Sequence, residues 1–407
     1  MKFDLKYVPK GWKKTNIADK LFFQEGPGVR KWQFKNEGIK LLNVGNINGG
    51  KIDLDKTDKH LSIEEATKKY SHFLVDEGDL LIACSGILVN NFYNKIAFAK
   101  KEHLPLCLNT STMRFKPLND DLDLNYFKYY LQTVHFTSQL QKLITGSAQL
   151  NFGPSHIRKI DFLYPPLSTQ KRIAEILDNA AALRDKTKQL LTKYDQLAQS
   201  IFLDMFGDPV MNPKEWEKVK LKSIASVSSG STPSRKIDKY WGGKIPWVKT
   251  GEVKSKLILD TEEKITQDGL LNSSCKLYEK GSIIIAMYGQ GKTRGQVGLL
   301  GIDATTNQAC AVLQPSSKMN STFLYEFLKM SYDTLRNLGR GGNQPNLNSG
   351  LIKNFQTINP PINLQNQFAE KIALIEQQKD LAKQELQESE DLFQALLQKA
   401  FKGELVD

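Results

Sequence analysis

The chain has 407 residues, too many for one ordinary domain, and 40% of them are hydrophobic, which excludes wholesale disorder. A net charge of +12 and a pI near 9.2 point toward a polyanionic partner. No apolar run reaches the roughly 18 residues of a bilayer-spanning helix, the opening Met1–Lys6 lacks a secretory-signal pattern, and the scattered Cys84, Cys107, Cys275 and Cys310 have no zinc or redox spacing. Reduced core thiols in a cytoplasmic protein are the expectation, with no membrane contact.

In chain order, the first domain is expected over residues 1–167. It opens on Pro9-Lys10-Gly11-Trp12 and leads into Ile17-Ala18. Short β-type runs separated by Gly, Asn and Pro follow, with strands expected at Phe73–Val75 and Leu80–Ala83. A short helix is expected from Asn125 to Leu140, and Tyr164-Pro165-Pro166-Leu167 closes the region. A long helix is expected over 168–207, because Ser168 to Phe206 contains no Pro or Gly.

The same order then returns. Pro213-Lys214-Glu215-Trp216 leads into Ile224-Ala225, and Ile245–Val253 matches Ile39–Ile47 at an offset of 206. Lys280-Gly281-Ser282-Ile283 matches Glu77-Gly78-Asp79-Leu80 at 203, and Asn359-Pro360-Pro361-Ile362 matches the first proline pair at 195. Strands are expected at Ser282–Ile285 and Cys310–Leu313, and a short helix from Ser321 to Leu338. The second domain spans 208–362 and a second long helix 363–407. The chain is a duplication.

Both long helices carry a heptad pattern. The first seam is Ile173, Leu177, Ala180, Arg184, Thr187, Leu191, Tyr194, Ala198, Ile201 and Met205. Adding 195 gives Phe368, Ile372, Ile375, Lys379, Ala382, Leu386, Ser389, Phe393, Leu396 and Ala400 without a slip. The expected fold is therefore α+β: two pseudo-repeated mixed α/β domains separated by two long antiparallel, coiled-coil-like helices. Arg184 and Lys379 at equal seam positions either snorkel outward or fix register. A 39-residue helix is about 58 Å long, roughly 17 base pairs of duplex at 3.4 Å each. Such a strut would serve two heads as a ruler on DNA.

At these residues the chain resembles the specificity subunits of type I restriction–modification systems. The resemblance rests on Pro165-Pro166-Leu167 leading to Gln170, Pro360-Pro361-Ile362 leading to Gln365, the helix ends Phe206-Gly207-Asp208-Pro209 and Phe401-Lys402-Gly403-Glu404-Leu405, and Ala286–Gly295. It implies two target-recognition domains, each reading half of a split site in double-stranded DNA. It further implies partners: two modification subunits that bind S-adenosylmethionine and methylate adenine, and ATP- and Mg-dependent restriction subunits that translocate and cut. No cofactor and no catalytic residue is implied for this chain.

Two motifs suggest enzymes and fit poorly. Ala286–Thr293 resembles a phosphate loop, but Arg294-Gly295-Gln296-Val297-Gly298 has no helical period, and a phosphate loop must open a helix. Asn359-Pro360-Pro361-Ile362 lacks the aromatic residue of an adenine methyltransferase motif. A coiled-coil interaction protein without DNA affinity, an NTPase built on Lys292, and a methylation-only system remain as alternatives.

Base readout needs Arg, Lys, Asn or Gln at base edges. The repeat points to the loops before each proline pair. The first holds Gln149, Asn151, Arg158 and Lys159; the second holds Arg340, Gln344 and Asn346, with Gln149 matching Gln344 and Asn151 matching Asn346. Those amides either read bases or cap turns. Arg30, Lys31, Arg235, Lys236, Lys249, Lys292 and Arg294 complete the candidates.

Overall fold

The computed structural model describes residues 8–56, 59–144, 149–339 and 346–406. The chain divides into two compact units, one of Met1–Lys186 with Leu386–Asp407 and the other of Thr187–Glu385. Each long helix is split between the units, because each half of one helix packs on a half of the other.

In the first unit Leu21–Glu25, Thr112–Pro117, Leu80–Ala83 and Ile96–Phe98 form a four-stranded antiparallel sheet in that order. A three-stranded sheet pairs Leu106–Leu108 in parallel with Ile39–Leu42, which also pairs with His60–Leu61. In the second unit Val227–Ser229, Cys310–Leu313, Ile283–Ala286 and Val297–Leu300 repeat the first order, with Leu257–Ile258 added at the edge. There Trp241–Val248 pairs in parallel with Thr305–Thr306 and antiparallel with Glu263–Ile265. The duplication is thus one of topology as well as of sequence.

The central strands explain their unbroken apolar runs. Leu80, Leu81, Ile82 and Ala83 are all fully buried, and successive side chains point to opposite faces. Leu80 and Ile82 join a core that includes Phe115, Phe127 and Phe162, while Leu81 joins one with Leu42 and Leu106. Ile283 and Ile285 separate from Ile284 in the same way.

Two local expectations need correction. Phe73–Val75 is not a strand: Ser71–Phe73 is a 3-10 turn, and Leu74 makes only an isolated bridge to Cys107. The Arg114 guanidinium donates to the carbonyls of His72 (2.8 Å) and Leu74 (2.6 Å), occupying acceptors a ladder would use. The helix expected from Asn125 to Leu140 is two helices, Leu124–Tyr130 and Val134–Leu143. Thr133 restarts the second by accepting from the Phe136 N–H. Its counterpart likewise breaks into Ser321–Met330 and Tyr332–Asn337 at Ser331.

The long helices run Leu167–Phe206 and Ile362–Phe401. In the second unit Phe202 packs on Phe368, and Asp195 pairs with Lys379 at 2.8 Å, an antiparallel arrangement. In the first unit Ile173, Leu177 and Ala180 share a core with Phe393, Leu397 and Ala400. Among the seam residues, Ile173, Leu177, Phe368 and Ile372 are buried. Leu191, Ile201, Leu386 and Leu396 are half-buried. The basic seam residues do not snorkel into solvent. Lys379 bridges to Asp195 on the facing helix, and Arg184 stacks over Phe393, 5.0 Å from the ring centre.

Each helix ends in the same lock. Gly207 and Gly403 take left-handed backbone, φ +80° and +73°. A Cβ at Gly207 would sit 2.7 Å from the Pro213 ring, and one at Gly403 would sit 2.5 Å from Pro9. The proline–lysine–X–tryptophan motif is therefore the seat for a helix end, and Trp216 adds a bond from its indole N–H to the Phe206 carbonyl at 3.0 Å.

Candidate nucleic-acid interface

In both units the segment before the proline pair docks on the end of the central strand. Phe152 N–H donates to the Cys84 carbonyl at 2.9 Å, and Leu347 N–H donates to the Met287 carbonyl at 3.0 Å. In each unit the loop after the central strand and the segment before the proline pair thus meet at one edge. Gln149 lies in the short strand Gln149–Leu150, opposite Leu88. Asn151 is exposed, yet its Oδ1 accepts from Ser85 Oγ (2.9 Å) and from the Gly86 N–H (2.8 Å), so it holds the Ser85-Gly86 turn. Arg158 and Lys159 are exposed just beyond the helix Pro154–Ile157, with Arg158 5.6 Å above the Phe23 ring centre. Arg340 and Gln344 lie outside the described residues; Asn346 is described and exposed.

In the second unit the loop Met287–Gln296 joins two antiparallel strands, Ile283–Ala286 and Val297–Leu300. It opens no helix, so it lacks the amide cluster a phosphate loop presents. Its shape comes from Gly289, Gly291 and Gly295, all at positive φ. Two bonds from the helix Tyr332–Asn337 hold it: Tyr332 Oη to the Lys292 carbonyl (2.8 Å) and Arg336 Nη1 to the Arg294 carbonyl (2.9 Å). The Lys292 side chain is exposed, and that of Arg294 is half-buried.

Arg235 and Lys249 are engaged within the unit. Arg235 sits over Trp241, 3.7 Å from the ring centre, and pairs with Glu263. Lys249 pairs with Glu262 (2.6 Å) and Glu263 (3.2 Å), and these bonds raise its pKa. Glu263 is held below the usual carboxylate range by Arg235, then Lys249. Two cations are thus balanced by two carboxylates, leaving little local field for phosphate.

The first unit contains a different arrangement at the matching turn. Arg30, Lys31 and Lys35 are exposed, and among the described residues none of them pairs with a carboxylate. Trp32 between them is 75% exposed. Its turn is rigid, because buried Gln33 accepts from the Arg30 N–H at 2.8 Å and donates to Tyr70 Oη at 3.0 Å. The sequence signal was present as an aromatic within a basic run, but nothing in the sequence showed that the indole faces outward.

All four cysteines are free and buried. Burial pushes the Cys84 and Cys107 thiols up to about 12 and Cys310 to about 11, so they are poor nucleophiles. Among the described residues no group of three His, Cys, Asp or Glu could hold a metal ion, and no helix is long and apolar enough to cross a membrane.

Comparison with known proteins adds to this geometry. A family model described as the type I restriction modification DNA specificity domain matches twice, over residues 9–193 and 213–390. The MjaIX specificity subunit of Methanocaldococcus jannaschii is 30% identical over 165 residues, covering 39% of this chain and 37% of that relative. The chain thus matches well under two thirds of that protein's length. The StySPI specificity subunit of Salmonella potsdam is 21% identical over 98% of this chain and 90% of its own. The crystal structure of a type I S subunit from M. genitalium shares the fold at a TM-score of 0.56, with 17% identity and 98% of both chains covered.

Proposed function

The chain belongs to the family of type I restriction–modification specificity subunits, non-catalytic DNA-recognition proteins, and on that premise we propose that it reads a split site in double-stranded DNA. The observation that carries this reading is the duplication itself. One topology is built twice, and the family model matches each copy. The side chains displayed on equivalent turns differ: Asn43 stands where Lys249 does, and Ser85-Gly86 where the second copy has Met287–Gln296. Equal scaffolds with unequal displays suit two half-sites of unlike sequence.

The reading parts are residues 1–167 and 208–362, and the spacer parts are 168–207 and 363–407. Each 40-residue helix is about 60 Å long. That length matches roughly 18 base pairs, so the half-sites would flank an unread stretch. Partners follow from the family: two modification subunits carrying S-adenosylmethionine for adenine methylation, and restriction subunits using ATP and Mg. Bacterial or archaeal DNA lies in the cytoplasm, where this chain would act. Contact is assigned to Lys292, Arg294, Arg158 and Lys159, with Gln149, Arg340, Gln344 and Asn346 at base edges. Asn151, Arg235 and Lys249 would shape loops and reach DNA only by giving up internal bonds.

Duplex binding by the modification subunit, measured with and without this chain, tests the proposal. Sequence-specific affinity that appears only when the chain is present supports it; equal binding in both samples refutes it.

A further inference from the structure

We infer that Trp32 is a DNA-contacting residue of the first recognition unit, its indole packing against a base or sugar while Arg30, Lys31 and Lys35 hold the flanking phosphates. The inference rests on the DNA-reading function above and names a residue that function did not assign. A solvated tryptophan is costly to display, since the large apolar indole is mostly buried on average. Here the indole is 75% exposed on a turn that cannot simply fold inward. Gln33, 3% exposed, fastens that turn to the Arg30 N–H, to Tyr70 and to Glu65. The scaffold therefore presents the ring deliberately.

Charge selects the occupant. The three cations beside Trp32 carry no carboxylate partner among the described residues, whereas Arg235 and Lys249 in the second unit are neutralised. Unpaired cations around a flat apolar ring fit a polyanion whose bases and sugars offer apolar surface. The repeat supports the same choice. Lys31–Gln33 is a 3-10 turn, and Asp238–Tyr240 is the 3-10 turn preceding the equivalent strand of the second unit. One position thus presents Trp32 in one copy and Asp238 in the other, as expected where two half-sites differ.

The test uses the complex with the modification subunit and a duplex carrying both half-sites, with W32A and W32F compared by fluorescence anisotropy. W32A is expected to weaken specific binding roughly tenfold or more, by analogy with aromatic stacking on bases, and W32F to retain most of the affinity. A duplex with the first half-site scrambled should be bound equally by wild type and W32A. Unchanged affinity of W32A for the intact site would overturn the inference, as would loss of complex assembly, which would place Trp32 against protein. Failure of the unaltered complex to bind any duplex specifically would instead refute the DNA-reading function itself.

Discussion

Gln170, fully buried at the start of the first long helix, accepts a hydrogen bond from the Asp123 backbone N–H at 2.9 Å. Its amide donates to the carbonyls of Asp121 and Pro165, both at 2.9 Å. Gln365 makes the equivalent bonds, from the Asn320 N–H (2.9 Å) and to the Pro360 carbonyl (2.8 Å). One side chain thus ties the proline pair to the cap of a short helix and fixes how the long helix leaves its domain. Gln170→Leu keeps the volume and strands these groups. Each buried unpaired group costs about 1–3 kcal/mol, so a loss of about 3 kcal/mol is expected in denaturant unfolding. DNA affinity per folded molecule should not change.

Arg114 and Asp79 form a buried ion pair at 3.3 Å in the first unit. The register places Val312 at the position of Arg114, and Ser282 stands at that of Asp79, so the second copy has no such pair. Breaking a buried pair costs about 3–5 kcal/mol, whereas replacing both partners is often nearly neutral. Arg114→Val alone should therefore be strongly destabilising, and adding Asp79→Ser should recover most of that loss. A double-mutant cycle by chemical denaturation reads both numbers.

Left-handed backbone at Gly207 and Gly403 makes both intolerant of a side chain. An L-residue there costs about 1–2 kcal/mol from backbone alone, and the prolines opposite leave no space. Gly403→Ala and Gly207→Ala should each lower the thermal midpoint by several degrees. Gly45→Ala, where a Cβ would meet nothing within 4 Å, should not.

Glu326 is buried beside Lys329, with Glu376 and Lys379 nearby, and burial raises its pKa above 4.5. Folded protein therefore holds this proton more tightly than unfolded protein. The stability this adds is full below pH 4.5 and is lost as pH rises through the folded value. Glu326→Gln should raise the thermal midpoint at pH 7.5 relative to wild type, with a smaller gain or none at pH 4.

Lys292 and Arg294 lie on the loop between two strands of the second unit. Replacing both by Ala should weaken duplex binding. The slope of log K against log salt should become shallower by about 1–2, at about 0.9 per phosphate contact. An unchanged slope would remove this loop from the interface.

The long helices were legible in the sequence because a heptad repeat spreads one signal over ten positions, from Ile173 to Met205. The duplication was legible because apolar runs such as Leu80–Ala83 are fixed by burial on both faces. Individual contacts were not. Asn151 is claimed by a turn 65 residues away, and Lys249 by Glu262 and Glu263 at the start of a neighbouring strand. Such partners are set by tertiary placement, which no local pattern encodes. Phe73–Val75 fits the pattern of a strand, yet Arg114, distant in sequence, takes the Leu74 carbonyl and that of His72 just before the run.

On the function proposed above, this chain supplies the sequence address for adenine methylation at a split site. Genome-wide mapping of methylated adenine in cells expressing the modification subunit, with and without this chain, is the decisive measurement. One split motif is expected, present only with the chain and with an unread spacer between two unlike halves. No new methylation from a confirmed complex with an active methyltransferase would contradict DNA reading, and a continuous motif would contradict the two-headed arrangement.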